Sequence, residues 1–293
     1  MTKPRIGYLG MGLMGLPMAL RLLAAGYEVI VWNRSTEKCG PAVDAGARLA
    51  TNPAEVAAQS DLLLMCLTNA KAVEAVLFGP SGVASAEHVP EVLIDFSSIH
   101  PETTKALAER LASETGTAWL DAPVSGGTPA AKAGTLTIMV GGRLADFDQV
   151  QPVLKHLAQN VTHMGPTGTG QMTKLVNQVI SGCTMVLVAE AVNLAEEAGV
   201  DATRLAQALG GGFADSKPFQ LLAPRMSARD FEDPLGAVAT MQKDLVTVCD
   251  VGETVGASMP MTENALRLLN DTAKDGHADA DISTVILTYK RDR

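Results

Sequence analysis

The feature that most constrains the fold is a set of three glycines, Gly10, Gly12 and Gly15, spaced as GxGxxG. On its own this spacing is no more than a tight turn. Here it closes a short β-rich run, Arg5–Leu9, and opens an apolar helical run, Met14–Ala25. A dinucleotide fingerprint requires that setting: Gly10 allows the turn, Gly12 lets the backbone approach a pyrophosphate, and Gly15 permits close helix–strand packing. The diphosphate then sits on the helix N-terminus, held by unpaired amides and the helix dipole. A chain that begins this way is expected to build an α/β sheet around its first strand.

The first half alternates accordingly. Strands are expected at Arg5–Leu9, Glu28–Trp32, Asp61–Leu67, Val92–Phe96, Ala118–Asp121, Leu136–Gly141 and Val161–Met164, with helices at Met14–Ala25, Ala70–Leu77, Glu102–Glu114 and Asp146–Ala158. Continuous apolar strands such as LLLMCL suit a sheet covered on both faces, and βα alternation implies parallel pairing. After the turn-rich GPTGTG (Gly165–Gly170) strand signals fade, and helices are expected at about 168–198, 201–209, 218–229, 237–256 and 259–275. The expected architecture is an N-terminal Rossmann domain over 1–164, a doubly wound and mostly parallel sheet, followed by an all-α domain over 165–293. The helix opening the second half would be about 45 Å long, a length that suits the spine of a domain or of a dimer.

Composition narrows the function classes. A formal net charge of −9 gives no basic footprint for nucleic acid or an anionic membrane. The longest uninterrupted apolar run, Leu62–Leu67, is too short to span a bilayer. The four cysteines are scattered without a CxxC pair, and the five histidines show no metal-binding spacing, so reduced thiols and no metal site are expected. A strand beginning near Arg5 leaves no room for a targeting peptide. Together these point to a cytoplasmic protein.

The end of the second strand carries Asn33, Arg34, Ser35 and Thr36 where NAD sites usually place a carboxylate. A carboxylate would repel a 2′-phosphate, whereas Arg34 can bind one in a bidentate way and Ser35 or Thr36 can add a hydroxyl. NADP is therefore the expected cofactor, with NAD possible. In DAPVSGG (Asp121–Gly127), Ser125, Gly126 and Gly127 can expose successive N–H groups to a carboxylate. Taken alone, such a run is more often just a flexible turn, and Asp121 reads as support for that turn. On the long helix, Lys174, Asn177 and Gln178 share one stripe, costly to bury unless something polar faces them. An exposed helix start would explain the same residues without any ligand. Lys243 and Asp244, adjacent on a later helix, are not expected to face one another.

Taken together, these residues resemble the β-hydroxyacid dehydrogenase family over essentially the whole chain. The resemblance rests on GxGxMGxPMA from Gly10 to Ala19, DFSSIHP, DAPVSGG, GxxGxGxxxKxxN and a late KDL. It implies that Lys174 is the catalytic lysine and that Ser125, Gly126 and Gly127 hold the substrate carboxylate, with Asn177 and Gln178 as the polar pair beyond the lysine. It also implies cofactor contacts from Met11, Leu13 and Met14 in the first loop, from Leu67 and Thr68 after the third expected strand, from Ser98 beside the nicotinamide ribose, and from Lys243. The implied reaction moves hydride between NADP(H) and a small carboxylated semialdehyde or 3-hydroxy acid. Lys174 would serve as general acid–base, its pKa lowered by burial or by a cation such as Lys243. The Asn177-Gln178 pair is similar to the tartronate semialdehyde reductase branch, whereas Arg34 resembles the NADPH-using reductases of glyoxylate and succinic semialdehyde. An imine reductase of the same architecture usually replaces the lysine, and a non-catalytic NADP-binding module loses it. A homodimer or homotetramer is implied by the resemblance alone.

Overall fold

The computed structural model describes residues 3–289. The chain forms two compact units that part between Lys174 and Leu175. The first contains β1 (Ile6–Leu9), α1 (Gly15–Ala24), β2 (Val29–Trp32), α2 (Gly40–Asp44), β3 (Arg48–Leu49), α3 (Pro53–Ala58), β4 (Leu62–Met65), α4 (Ala70–Phe78), β5 (Val92–Asp95) and α5 (Pro101–Thr115). It continues with β6 (Ala118–Asp121), β7 (Val124–Ser125), α6 (Gly127–Ala133), β8 (Leu136–Gly141), α7 (Leu144–Leu154), β9 (Ala158–Gly165) and the first turns of α8 (Thr169–Glu197).

The sheet runs β3-β2-β1-β4-β5-β6-β8-β7, with β9 on β8. Pairing is parallel from β3 to β6, and β8 is antiparallel to β6 and β7 but parallel to β9. Strand side chains alternate between faces, and both faces are buried. Ile6, Tyr8, Leu62, Leu64 and Ile94 pack into one core, while Leu9, Leu63, Met65 and Leu93 pack into the other. This is why the central strands are continuously apolar, and it makes the sheet doubly wound. The order reverses at β1, which lies between β2 and β4, so the crevice for a ligand opens beyond the C-terminal ends of β1 and β4.

Two expectations shift. The helix expected over Asp146–Ala158 spans Leu144–Leu154, and the strand expected at Val161–Met164 starts at Ala158. Gln159 and Asn160 are exposed, so apolar alternation gave no signal there; backbone pairing with β8 decides the strand. The short β3, β7, α2, α3 and α6 were not expected. They are too brief to carry a period.

In the second unit, α8 continues to Glu197 and is followed by α9 (Leu205–Leu209), α10 (Lys217–Ala228), α11 (Val238–Val255), α12 (Pro260–Thr272) and a final 3₁₀ segment, Ile282–Tyr289. Met185, Val186, Ala189 and Val192 of α8, Leu245 and Val248 of α11 and Leu269 of α12 are buried. The Asp281 carboxylate accepts hydrogen bonds from the backbone N–H groups of Leu235 and Ser283, which ties the last segment to the loop before α11. Over its 29 residues α8 is long and apolar enough, by length and composition alone, to cross a membrane. Its exposed apolar residues, Val176, Ile180, Leu187 and Leu194, lie at helical spacing on one face.

Candidate active site

The three fingerprint glycines meet three different surroundings. Gly10 has φ +103°, and a Cβ there would collide with the backbone carbonyl of Cys66 beyond β4. A Cβ on Gly15 would collide with the carbonyl of Gly10. A Cβ on Gly12 would meet nothing within 4 Å, so this stretch of backbone faces open space. No side chain caps α1; Leu16 and Met18 donate to Gly12 O and Met14 O and Pro17 has no N–H, so an anion at this end would be met by the glycine loop and the helix dipole.

Gly10 and Gly12 border a groove of about 340 Å³ whose walls also include Arg34, Ser35, Lys38, Leu67 and Thr68. The groove runs from the ends of β1 and β4 to the end of β2, as a dinucleotide requires. Arg34 and Lys38 place two cations beside Ser35 at its far end. Lys38 was missed in the sequence because it lies four residues past Arg34, in a short 3₁₀ turn (Thr36–Cys39) with no pattern of its own. Asn33, expected as a cofactor contact, also lines this groove and ties its walls together. Its Oδ1 accepts from Met11 N–H at 3.0 Å and its Nδ2 donates to Ser35 O at 2.9 Å, so both ends of the amide pin the glycine loop to the end of β2.

Ser125 ends β7, paired opposite Thr137 of β8. Gly126 and Gly127 follow with φ +125° and +65°, and α6 opens on them without a side-chain cap. Met14 and Thr128 lie near this turn, with Thr128 Oγ1 3.9 Å from Met14 Sδ.

The start of α8 is built from polar contacts. Asp121, fully buried at the end of β6, accepts from Gly168 N–H at 2.7 Å on Oδ1 and from Gln171 N–H at 2.8 Å on Oδ2. Asp121 thus caps the helix, a larger role than support for its own turn. Gln171, also buried, donates from Nε2 to Ser97 O at 2.7 Å, while its Oε1 accepts from Ile99 N–H at 3.4 Å. Lys174 is half-buried one turn later. Ser97 Oγ accepts from Leu67 N–H at 2.9 Å, and Ser97 N–H donates to Asp95 Oδ1 at 2.9 Å. Burial, aided by the nearby Asp121 charge, pushes the Asp95 carboxyl up to about 7 against the lowering effect of its Ser97 bonds. Asp121 is raised as well, by burial, and its backbone N–H donors oppose the shift. Ser98 lies partly exposed in the same loop.

In the second unit, Asn177 Nδ2 donates to Gln178 Oε1 at 2.8 Å, and Gln178 Nε2 donates to Asp244 Oδ2 at 2.7 Å. Both ends of the buried Gln178 amide are therefore engaged by protein. Lys243 and Asp244 do approach, with Nζ 3.4 Å from Oδ1, contrary to expectation. The reach of the long lysine side chain is what i,i+1 spacing alone does not reveal. Among the described residues no group of three or more His, Cys, Asp or Glu side chains could hold a metal ion.

Comparison with known proteins accounts for both halves. Residues 5–165 match the NAD-binding domain of 6-phosphogluconate dehydrogenase, and residues 168–289 match the NAD-binding region of NADP-dependent 3-hydroxyisobutyrate dehydrogenase. The chain is 37% identical to 2-hydroxy-3-oxopropionate reductase of Escherichia coli, over 96% of each chain. It is 35% identical to 2-(hydroxymethyl)glutarate dehydrogenase of Eubacterium barkeri, over 98% of this chain and 95% of that one. The solved 3-hydroxyisobutyrate dehydrogenase of Mycobacterium tuberculosis, in a structure with L-serine, superposes with a TM-score of 0.89 at 30% identity, covering 99% of this chain and all of the other. With a glycine loop that a dinucleotide fits and full-length similarity to these enzymes, the chain belongs to the β-hydroxyacid dehydrogenase family and is an NAD(P)-dependent hydroxyacid dehydrogenase.

Proposed function

We propose that the protein is an NADPH-preferring reductase of small carboxylated semialdehydes, reversible as a 3-hydroxyacid dehydrogenase, with Lys174 as its general acid–base. The observation that carries this reading is the anchored start of α8, where Lys174 follows one turn after backbone amides fixed on Asp121. The uncapped N-terminus of α1 and the open face at Gly12 suit a diphosphate, and Arg34, Ser35 and Lys38 suit a 2′-phosphate. When bound, the nicotinamide supplies the hydride. Ser125 with the N–H groups of Gly126 and Gly127 would hold the substrate carboxylate at the uncapped start of α6.

In reduction, Lys174 gives its proton to the carbonyl oxygen as that oxygen gains negative charge. In oxidation the neutral amine takes the hydroxyl proton. Such help is worth roughly 10²–10⁴-fold. Asn177 and Lys243 are assigned to the substrate and the cofactor respectively on family resemblance. Gln178 holds Asn177 and Asp244 through one bond at each end of its amide, and the second lone pair of Oε1 is assigned to the substrate on the same resemblance. The exposed stripe Val176, Ile180, Leu187 and Leu194 is read as the contact with a second copy of the chain.

The test follows NADPH absorbance against tartronate, succinic and methylmalonate semialdehydes, glyoxylate and a cyclic imine, for the parent and Lys174→Ala. The expected result is turnover of at least one semialdehyde, lost by 10²-fold or more in the variant, with NADPH affinity within about threefold. Full activity in Lys174→Ala discards the mechanism. Activity on the imine alone discards the substrate class.

A further inference from the structure

The first turn of α8 is tied to two places in the sheet domain by groups that the reaction itself does not use. Asp121 takes the N–H groups of Gly168 and Gln171 onto its two oxygens. This approach needs missing side chains: a Cβ on Gly170 would collide with the carbonyls of Asp121 and Met139, and one on Gly141 would press on the Asp121 carboxylate. Gly168, at φ +92°, turns its N–H toward that carboxylate. The second tie is the Gln171 side chain, 1% exposed, which spans Ser97 O and Ile99 N–H. Ser98 lies between those two residues, and the same loop meets Leu67 N–H through Ser97 Oγ.

We infer that Gln171 is a positioning residue: its amide fixes the helical turn carrying Lys174 to the loop carrying Ser98, and so sets where the proton donor stands relative to the nicotinamide. The inference rests on the reading of Lys174 and Ser98 given above. One amide suits the task because it donates and accepts at once, clamping a carbonyl and an N–H of one loop from a single side chain. Gln171 and Lys174, three apart, share a helix face, so the clamp lies directly beneath the lysine. A misplacement near 1 Å can cost about a hundredfold in rate. Buried bonds at this junction hold such geometry more firmly than packing alone.

The full chain is assayed with NADPH and whichever of tartronate and succinic semialdehydes the parent reduces. Gln171→Met keeps length and bulk but removes both bonds. The expected result is a kcat fall of roughly 10- to 100-fold, with KM within about threefold and NADP⁺ affinity within about twofold. The primary isotope effect with NADPH deuterated at the transferred position should rise as hydride transfer becomes limiting. A kcat within about twofold of the parent, or a loss matched by lost NADP⁺ binding, overturns the inference even if melting drops.

Gln171→Glu is the second arm and decides the matter if the first variant does not fold. Its carboxylate can still accept from Ile99 but cannot donate to Ser97 O until protonated, so the variant-to-parent kcat ratio should rise several-fold on acidification from pH 8 to pH 6. Lys174 on the same helix face, Asp95, Asp121 and His100 are the neighbouring titratable groups, and all four are present in the two proteins. A ratio flat with pH overturns the inference. A parent silent on every semialdehyde instead overturns the functional reading on which the inference stands.

Discussion

Replacing Asp95 by Asn should make the protein more stable in alkali and change it little in acid. Asp95 ends β5, fully buried, with one oxygen on Ser97 N–H and the other without a hydrogen-bond partner. Its carboxyl titrates at about 7 in the fold, against about 3.9 in an unfolded chain. The folded state therefore keeps a proton that the unfolded state has released between about pH 4 and pH 7. Stability falls with rising pH wherever the native state binds more protons. The penalty is absent below about pH 4, grows through that window, and is complete above about pH 7. About three pH units at 1.36 kcal/mol each amount to ~4 kcal/mol, of which roughly a third is already present at pH 5. Asparagine keeps the shape and the Ser97 bond but has nothing to ionise. In urea denaturation at pH 5 and pH 8, the difference in unfolding free energy between Asp95→Asn and the parent should grow in the variant's favour by about 2–3 kcal/mol. Comparing the two proteins cancels the other titrating groups. A difference that stays constant with pH would refute the reasoning, because Asp95 would then be ionised in the fold. Infrared difference spectra give an independent reading: a protonated carboxyl band in the parent near pH 6 that the variant lacks.

Other expectations are as direct. Arg34→Ala removes a charged donor from the end of the groove proposed to take a 2′-phosphate, and such bonds are worth about 1.5–3 kcal/mol; KM for NADPH should rise roughly 10- to 100-fold while KM for NADH moves less than about threefold. Equal losses with both cofactors would reject the 2′-phosphate role. Leu187, 62% exposed on the outer stripe of α8, is the place to test self-association. Leu187→Glu should weaken a two-fold dimer about a hundredfold, from ~1.5 kcal/mol of lost burial per copy, seen by sedimentation as monomer at micromolar concentration with helix content retained. A parent that is itself monomeric there removes the proposal.

The primary sequence determined the sheet and its cofactor class, because both rest on local patterns. GxGxxG between β1 and α1, with apolar runs such as Leu62–Met65, specifies a central parallel strand, a tight turn and a helix without a side-chain cap. The long apolar stretch with Lys174 near its start likewise announced α8. Tertiary structure alone decided the pairing of polar groups distant in sequence. Asp121 reaches Gly168 and Gln171 across 47 and 50 residues, Gln171 reaches Ser97 across 74, and Gln178 reaches Asp244 across 66. Each of these side chains reads as an ordinary polar residue until folding buries it, since the cost of an unsatisfied buried polar group exists only in the packed state. The same reason hid from the sequence the bonds of Asn33 to the glycine loop and of Gln178 to Asp244. Short-range order names the chemistry, and long-range burial decides which polar groups remain free to perform it.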